Sequence, residues 1–125
     1  MNCLLDTHVF LWVLSEPEKL SAAARQAIQN PDHTVYVSAV SAVEISIKTA
    51  LGKLEAPAEL SREIVQRGFT ELPLKYTHGE AMRRLAHHHA DPFDRMLIAQ
   101  AAEENLVVIT RDEKFRSYPI KVIQT

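Results

Sequence analysis

The chain has 125 residues, 46% of them hydrophobic and 24% charged, which suits one globular domain able to bury a core without staples. A lone cysteine, Cys3, excludes an intrachain disulfide and fits a reducing compartment, and no apolar run approaches the roughly 20 residues that span a bilayer. The formal charge of -2 excludes binding nucleic acid by net charge alone, so any such substrate needs cations from a metal, a local basic patch or a second subunit.

In chain order, residues 2–5 form a short apolar run ending at Asp6, the pattern of a buried strand. The segment from Val9 to Leu14 is apolar nearly all round and predicts a buried helix, with Phe10 and Trp12 as core or dimer contacts and Cys3 as a small buried hydrophobe. Leu20, Ala24, Ala27 and Ile28 recur at helical spacing from Ser21, and Asn30-Pro31-Asp32 stops that helix. The β-branched and aromatic residues 34–37 predict a strand. Ser41 then opens a helix with Val43, Ile47, Ala50, Leu51 and Leu54 on one face.

A further helix is expected between Ala58 and Gly68, and an edge strand over residues 70–74, demoted to the edge by Pro73. Thr77 with Glu80 has the spacing of a capping box ahead of Met82, Leu85 and Ala86. Asp91-Pro92-Phe93-Asp94 is the sharpest helix start: Asp91 suits the N-cap and Pro92 the first helical position. That helix runs to Asn105, residues 106–109 make a strand buried on both faces, and Val122 and Ile123 belong to a last strand. Strands alternating with helices indicate an α/β fold with a mostly parallel sheet.

In such a sheet, strand C-termini and the N-termini of the following helices share one edge, where these folds place their ligands. Asp6 and Asp112 follow strands, while Glu44 and Asp94 are expected in the first turns of helices, so four carboxylates should converge. Two like charges ~4 Å apart repel by about 4 kcal/mol at an effective dielectric near 20. Helix N-termini offset only roughly 0.3–1 kcal/mol each. The cluster therefore needs protonation or a divalent cation, and oxygen ligands without cysteine favour Mg²⁺, or Mn²⁺, over zinc. Such an ion polarises a phosphodiester and activates a water.

Each acid has a structural alternative: Glu44 as the return arm of a Ser41 capping box, Asp94 as a dipole partner, Asp112 as the cap of a short turn at 113–117. Asp6, ending an apolar strand before another apolar segment, is the hardest to explain by structure alone. Lys48 lies four residues after Glu44, as an ion pair or a phosphate contact, and Arg95 and Arg111 flank two of the acids as further candidate phosphate contacts. His8 neighbours Asp6 on the presumed active edge, and His87-His88-His89 is expected to be a solvated loop.

The stretches Leu4-Leu5-Asp6-Thr7-His8, Ser41-Ala42-Val43-Glu44-Ile45-Ser46-Ile47-Lys48, Asp91-Pro92-Phe93-Asp94-Arg95-Met96-Leu97-Ile98-Ala99-Gln100-Ala101 and Leu106-Val107-Val108-Ile109-Thr110-Arg111-Asp112 together resemble PIN-domain proteins, more narrowly the VapC-like toxin ribonucleases of bacterial toxin–antitoxin pairs. The likeness runs almost end to end. It implies a single three-layer α/β/α domain over residues 1–125, with a mostly parallel sheet of about five strands. It also implies Mg²⁺- or Mn²⁺-dependent cleavage of single-stranded RNA leaving a 5′-phosphate, with the acidic positions on Asp6, Glu44, Asp94 and Asp112 and a hydroxyl from Thr110. A homodimer and a cognate antitoxin follow from the same resemblance, while a cytoplasmic setting is expected from the lone cysteine and the lack of a membrane-spanning run.

Two other readings compete. A phospho-acceptor receiver domain would want an acidic neighbour for Asp6 and an acid after Val37, where Ser38 stands. A non-catalytic module whose acidic pocket only receives a basic partner peptide shares every feature except turnover.

Overall fold

A computed structural model describes residues 1–125. Five strands form one sheet: β1 (Asn2–Leu5), β2 (Thr34–Ser38), β3 (Thr70–Leu72), β4 (Val107–Thr110) and β5 (Val122–Gln124). The helices are α1 (Thr7–Ser15), α2 (Ala22–Gln29), α3 (Ala39–Ala50), α4 (Leu60–Gln66), α5 (Tyr76–Ala81) and α6 (Pro92–Glu104). Every strand pair is parallel, in the order β3-β2-β1-β4-β5, with β3 at an edge as Pro73 requires.

Alternation along the strands splits the core into two layers, one on each side of the sheet. Cys3, Leu5, Val35, Val37 and Ile109 pack with Val9, Phe10, Val13, Ala24 and Ala27 of α1 and α2. Leu4 and Val108 point the other way, onto Leu97, Ile98 and Ala101 of α6 and onto Phe115 and Tyr118. Burying a side chain of this size contributes about 1.5–3 kcal/mol, so the central strands β1 and β4, apolar on both faces, anchor the molecule. The fold is the α/β arrangement expected. No helix is long and apolar enough to cross a membrane.

Two starts differ from expectation. Ser38, not Ser41, caps α3, its hydroxyl accepting the Val40 N–H at 3.0 Å. Glu44 therefore lies in the second turn, the Ser41 capping box does not exist, and the inward face is Val40, Ser41, Glu44 and Ile45. Val43, Ile47 and Leu51, read as the apolar face, are 54%, 46% and 63% exposed. Thr77 does not cap α5 either: Lys75 is the N-cap, and its N–H is accepted by Nδ1 of buried His78 at 2.9 Å.

A buried glutamine joins the layers. Gln100 of α6 accepts the Ser38 hydroxyl at 2.6 Å and donates to the Pro73 carbonyl at 3.2 Å. It thus ties α6 to the start of α3, the two helices that carry Asp94 and Glu44. Asn105, with φ 55, ends α6 in the left-handed conformation that asparagine tolerates, turning the chain directly into Leu106 and β4.

Candidate active site

The strand order reverses at β1, where the chain crosses from the β2 side to the β4 side. This is the switch point at which open α/β sheets form a crevice. A cavity of about 160 Å³ lies there, lined by Asp6, Glu44, Asp91, Asp94 and Asp112, with Lys48 and Arg111 as its cations and His8 beside them. A more spacious hollow of about 730 Å³ beside α1 and α2 gathers only Glu18, Arg25 and Arg67 as charged groups, and no carboxylate cluster. The chemistry lies in the smaller one.

Asp6 is the N-cap of α1. Its Oδ1 accepts the Val9 N–H at 2.7 Å, and its Oδ2 accepts the Thr110 hydroxyl from β4. Thr110 Oγ1 in turn accepts the Asp112 N–H at 3.0 Å, linking the ends of β1 and β4. Glu44 is buried at 6% exposure; Oε2 pairs with Lys48 Nζ at 2.5 Å, while Oε1 has no hydrogen-bond partner. Asp94 sits in the first turn of α6, behind the Asp91 cap that accepts both the Phe93 and Asp94 N–H groups. Asp112 caps the 3₁₀ turn Glu113–Ser117, its Oδ1 accepting the Lys114 N–H at 3.0 Å.

The structure thus brings together all four acids, Lys48, Thr110 and Arg111. It does not bring Arg95, whose guanidinium is bonded to the carbonyl of Ala86 at 2.9 Å and the hydroxyl of Tyr118 at 3.2 Å. That residue clamps the loop before α6, so the expectation of a phosphate contact loses its geometric basis. His87 and His88 are exposed as expected, but His89 is not in solvated loop: it is 7% exposed and its Nε2 lies 2.8 Å from Asp112 and 3.0 Å from Asp94. Asp91 lines the pocket and His89 contacts two of its acids, and the sequence reading placed neither at the site. The one signal for His89 was its position two residues before the N-cap aspartate. Phe10 is core at 1% exposure, whereas Trp12 is half-buried, with Arg111 5.7 Å and Lys19 5.8 Å from its ring centre.

Crowding is legible in the proton affinities. Burial pushes Asp6 up to about 6, against the opposing bonds from Thr110 and Val9 and with Glu44 adding to the rise. Burial, then Asp91 and Asp6, push Asp94 up to about 7. For Asp112 burial acts upward, but the Lys114 N–H and His89 outweigh it and the net shift is downward. Burial and the cations Arg111, Lys19 and Lys48 lower His8, keeping it neutral. An orphaned buried carboxylate oxygen and two acids that resist ionisation, all with hard oxygen donors, fit a divalent cation of the Mg²⁺ or Mn²⁺ kind.

Residues 3–121 match the family model described as PIN domain, and the chain belongs to that family. It is 31% identical over 122 residues to ribonuclease VapC22 of Mycobacterium tuberculosis (strain ATCC 25618 / H37Rv), covering 92% of this chain and 90% of that one. Among solved structures, its fold is similar to that of DNA-bound VapBC from Salmonella typhimurium, with a TM-score of 0.72 at 17% identity over 99% of this chain and 98% of that one. VapBC-1 from nontypeable Haemophilus influenzae gives a TM-score of 0.71 at 20% identity, over 99% and 98% of the two chains.

The raised acids give metal-free protein a defined pH dependence. Asp6 and Asp94 bind protons more tightly folded than unfolded, so the stability they contribute is full below 3.8 and is lost as pH rises through about 6 and about 7. Asp112 acts in the opposite sense, but only in the acid range below 3.8. In chelator, thermal unfolding should therefore occur at lower temperature at pH 8 than at pH 5, and Asp94→Asn should flatten that slope. A slope unchanged in the variant would assign the pH dependence to other groups.

Proposed function

We propose that this chain is a metal-dependent endoribonuclease that hydrolyses single-stranded RNA, acting as the toxin of a toxin–antitoxin pair. The observation that carries the reading is the convergence of Asp6, Glu44, Asp94 and Asp112 on one small pocket in which the Glu44 Oε1 lacks a partner. Family membership and the likeness to a ribonuclease support it.

Asp6, Glu44 and Asp94 would hold Mg²⁺ or Mn²⁺. When bound, such an ion polarises the phosphodiester and lowers the pKa of a water to make the nucleophile. Thr110 and the Val9 N–H fix the Asp6 carboxylate in one orientation, so that residue offers its free lone pairs inward without reorganising. Arg111 and Lys48 are the cations on the pocket wall and suit phosphate oxygens on either side of the scissile bond. The Lys48–Glu44 pair keeps that ammonium charged, since the bond raises its proton affinity. With five carboxylates facing two cations, phosphate approaches only once positive charge is added, which accounts for an acidic protein handling RNA.

The experiment is cleavage of varied single-stranded RNAs with Mg²⁺, before and after chelation. Asp6→Asn and Asp94→Asn should each lower cleavage by roughly a hundredfold or more while leaving the circular dichroism spectrum unchanged. A variant that cuts normally leaves the mechanism without that residue. Metal binding with no turnover on any RNA favours the other reading, an acidic pocket that receives a basic peptide.

The same proposal includes two partners. The structural relatives named above are VapBC complexes, and an antitoxin with a basic tail would complement this negative pocket. A homodimer would cover the stripe of Val43, Ile47 and Leu51, which recurs every four residues along α3 and onto its C-cap and faces solvent. Ile47→Asp should convert a dimer to a monomer in light scattering, and an unchanged mass would place the dimer surface elsewhere.

A further inference from the structure

Beside the carboxylates lies one buried side chain with no part in the reaction as described. The imidazole of His89 is fixed from several directions. The ring meets Phe115, with ring centres 5.9 Å apart and planes at 88°, and the His89 backbone N–H donates to the Tyr118 hydroxyl at 3.0 Å. Its carbonyl lies 3.4 Å from an Arg95 nitrogen. Arg95, dismissed above as a phosphate contact, thus helps hold this loop.

Nε2 stands between two of the pocket acids. Nε2 is 2.8 Å from Asp112 Oδ2 in a hydrogen bond and 3.0 Å from Asp94 Oδ2. The donor atoms of His89, Asp94 and Asp112 all lie within 4.8 Å of one another, a spacing that on distance alone would also suit a transition metal with His89 as ligand. The far side of the ring decides between the two roles. Nδ1 accepts the Asp91 N–H at 3.2 Å, so it carries no proton, and the proton of the neutral ring is on Nε2. To ligate a metal through Nε2 the ring would have to move that proton to Nδ1, where it would meet the Asp91 N–H head-on.

We propose that His89 is a positioning residue of the metal pocket, and that its Nε2–H acts as a fixed donor holding Asp112 beside Asp94. This rests on the metal-pocket reading above and adds to it a side chain that orients one of the acids. Each Asp112 oxygen accepts one hydrogen bond, Oδ1 from the Lys114 N–H and Oδ2 from His89, so its carboxylate is held from two sides. A donor in this position also disfavours zinc, whose preferred nitrogen ligand would otherwise be at hand. Outer partners of this kind typically change metal affinity by ~10–100-fold when removed.

The test is direct titration of Mn²⁺ into the full chain by calorimetry, with wild type, His89→Ala, His89→Gln and Asp94→Asn. His89→Ala should weaken Mn²⁺ binding about tenfold or more. His89→Gln should restore most of it, because the glutamine amide places an N–H donor near the Nε2 position. On wild type, nitrogen NMR of the imidazole should show Nε2 protonated and Nδ1 bare, and the same state after Mg²⁺ is added. Wild-type affinity in His89→Ala, a glutamine variant no better than alanine, or loss of the Nε2 proton on adding Mg²⁺ would each overturn the proposal. The parent reading fails separately: wild type would then bind no Mn²⁺, or Asp94→Asn would bind it as well as wild type.

Discussion

Mutual repulsion among carboxylates held in a space of about 160 Å³ is the constraint on which this molecule turns. In water, like charges at such spacing would separate by rotating outward. Here the Val9 N–H and the Thr110 hydroxyl tether Asp6, and burial encloses Glu44. Denied that escape, two of the acids hold protons to about pH 6 and about pH 7. A group that resists ionisation in a pocket open to solvent is prepared for an incoming cation, because the ion's charge replaces the protons.

Economy of placement explains how a short chain assembles such a site. Asp6 and Asp112 are helix caps as well as pocket acids, and Asp91 caps the helix that presents Asp94. The Asp6 and Asp112 caps lie at the C-terminal edge of the sheet because each follows a parallel strand that must turn there. The folding requirement and the chemical requirement are met by the same side chains. Removing a pocket acid to leave an amide keeps much of the cap, which is why isosteric variants separate the two roles.

Much of this was legible in the sequence, for identifiable reasons. The strands β1 and β4 are uninterrupted apolar runs, and Asp91-Pro92 is an unambiguous start for α6, so Asp6, Asp94 and Asp112 fell where the structure has them. The phase of α3 was not legible. Ser38-Ala39-Val40 is repeated at once as Ser41-Ala42-Val43, giving two equivalent helix starts. The later one yields a plausible apolar face of Val43, Ile47 and Leu51, but tertiary packing uses the earlier one, because Gln100 binds Ser38 and Thr7 meets the Ser41 hydroxyl at 2.8 Å. His89 was hidden for a different reason. Three adjacent histidines look alike in sequence, and only the turn into the Asp91 cap selects which of them is buried against Asp94 and Asp112. Arg95 follows Asp94 in the chain, but successive side chains turn by roughly 100° around a helix, and this one bonds the Ala86 carbonyl and the Tyr118 hydroxyl instead.

Anomalous diffraction from a crystal grown with Mn²⁺ tests the central claim most directly. The account predicts a peak enclosed by the oxygens of Asp6, Glu44 and Asp94, with the previously unpartnered Glu44 Oε1 among its neighbours. A manganese peak at any other part of the surface, with these three side chains unmoved and still without an ion between them, would contradict it.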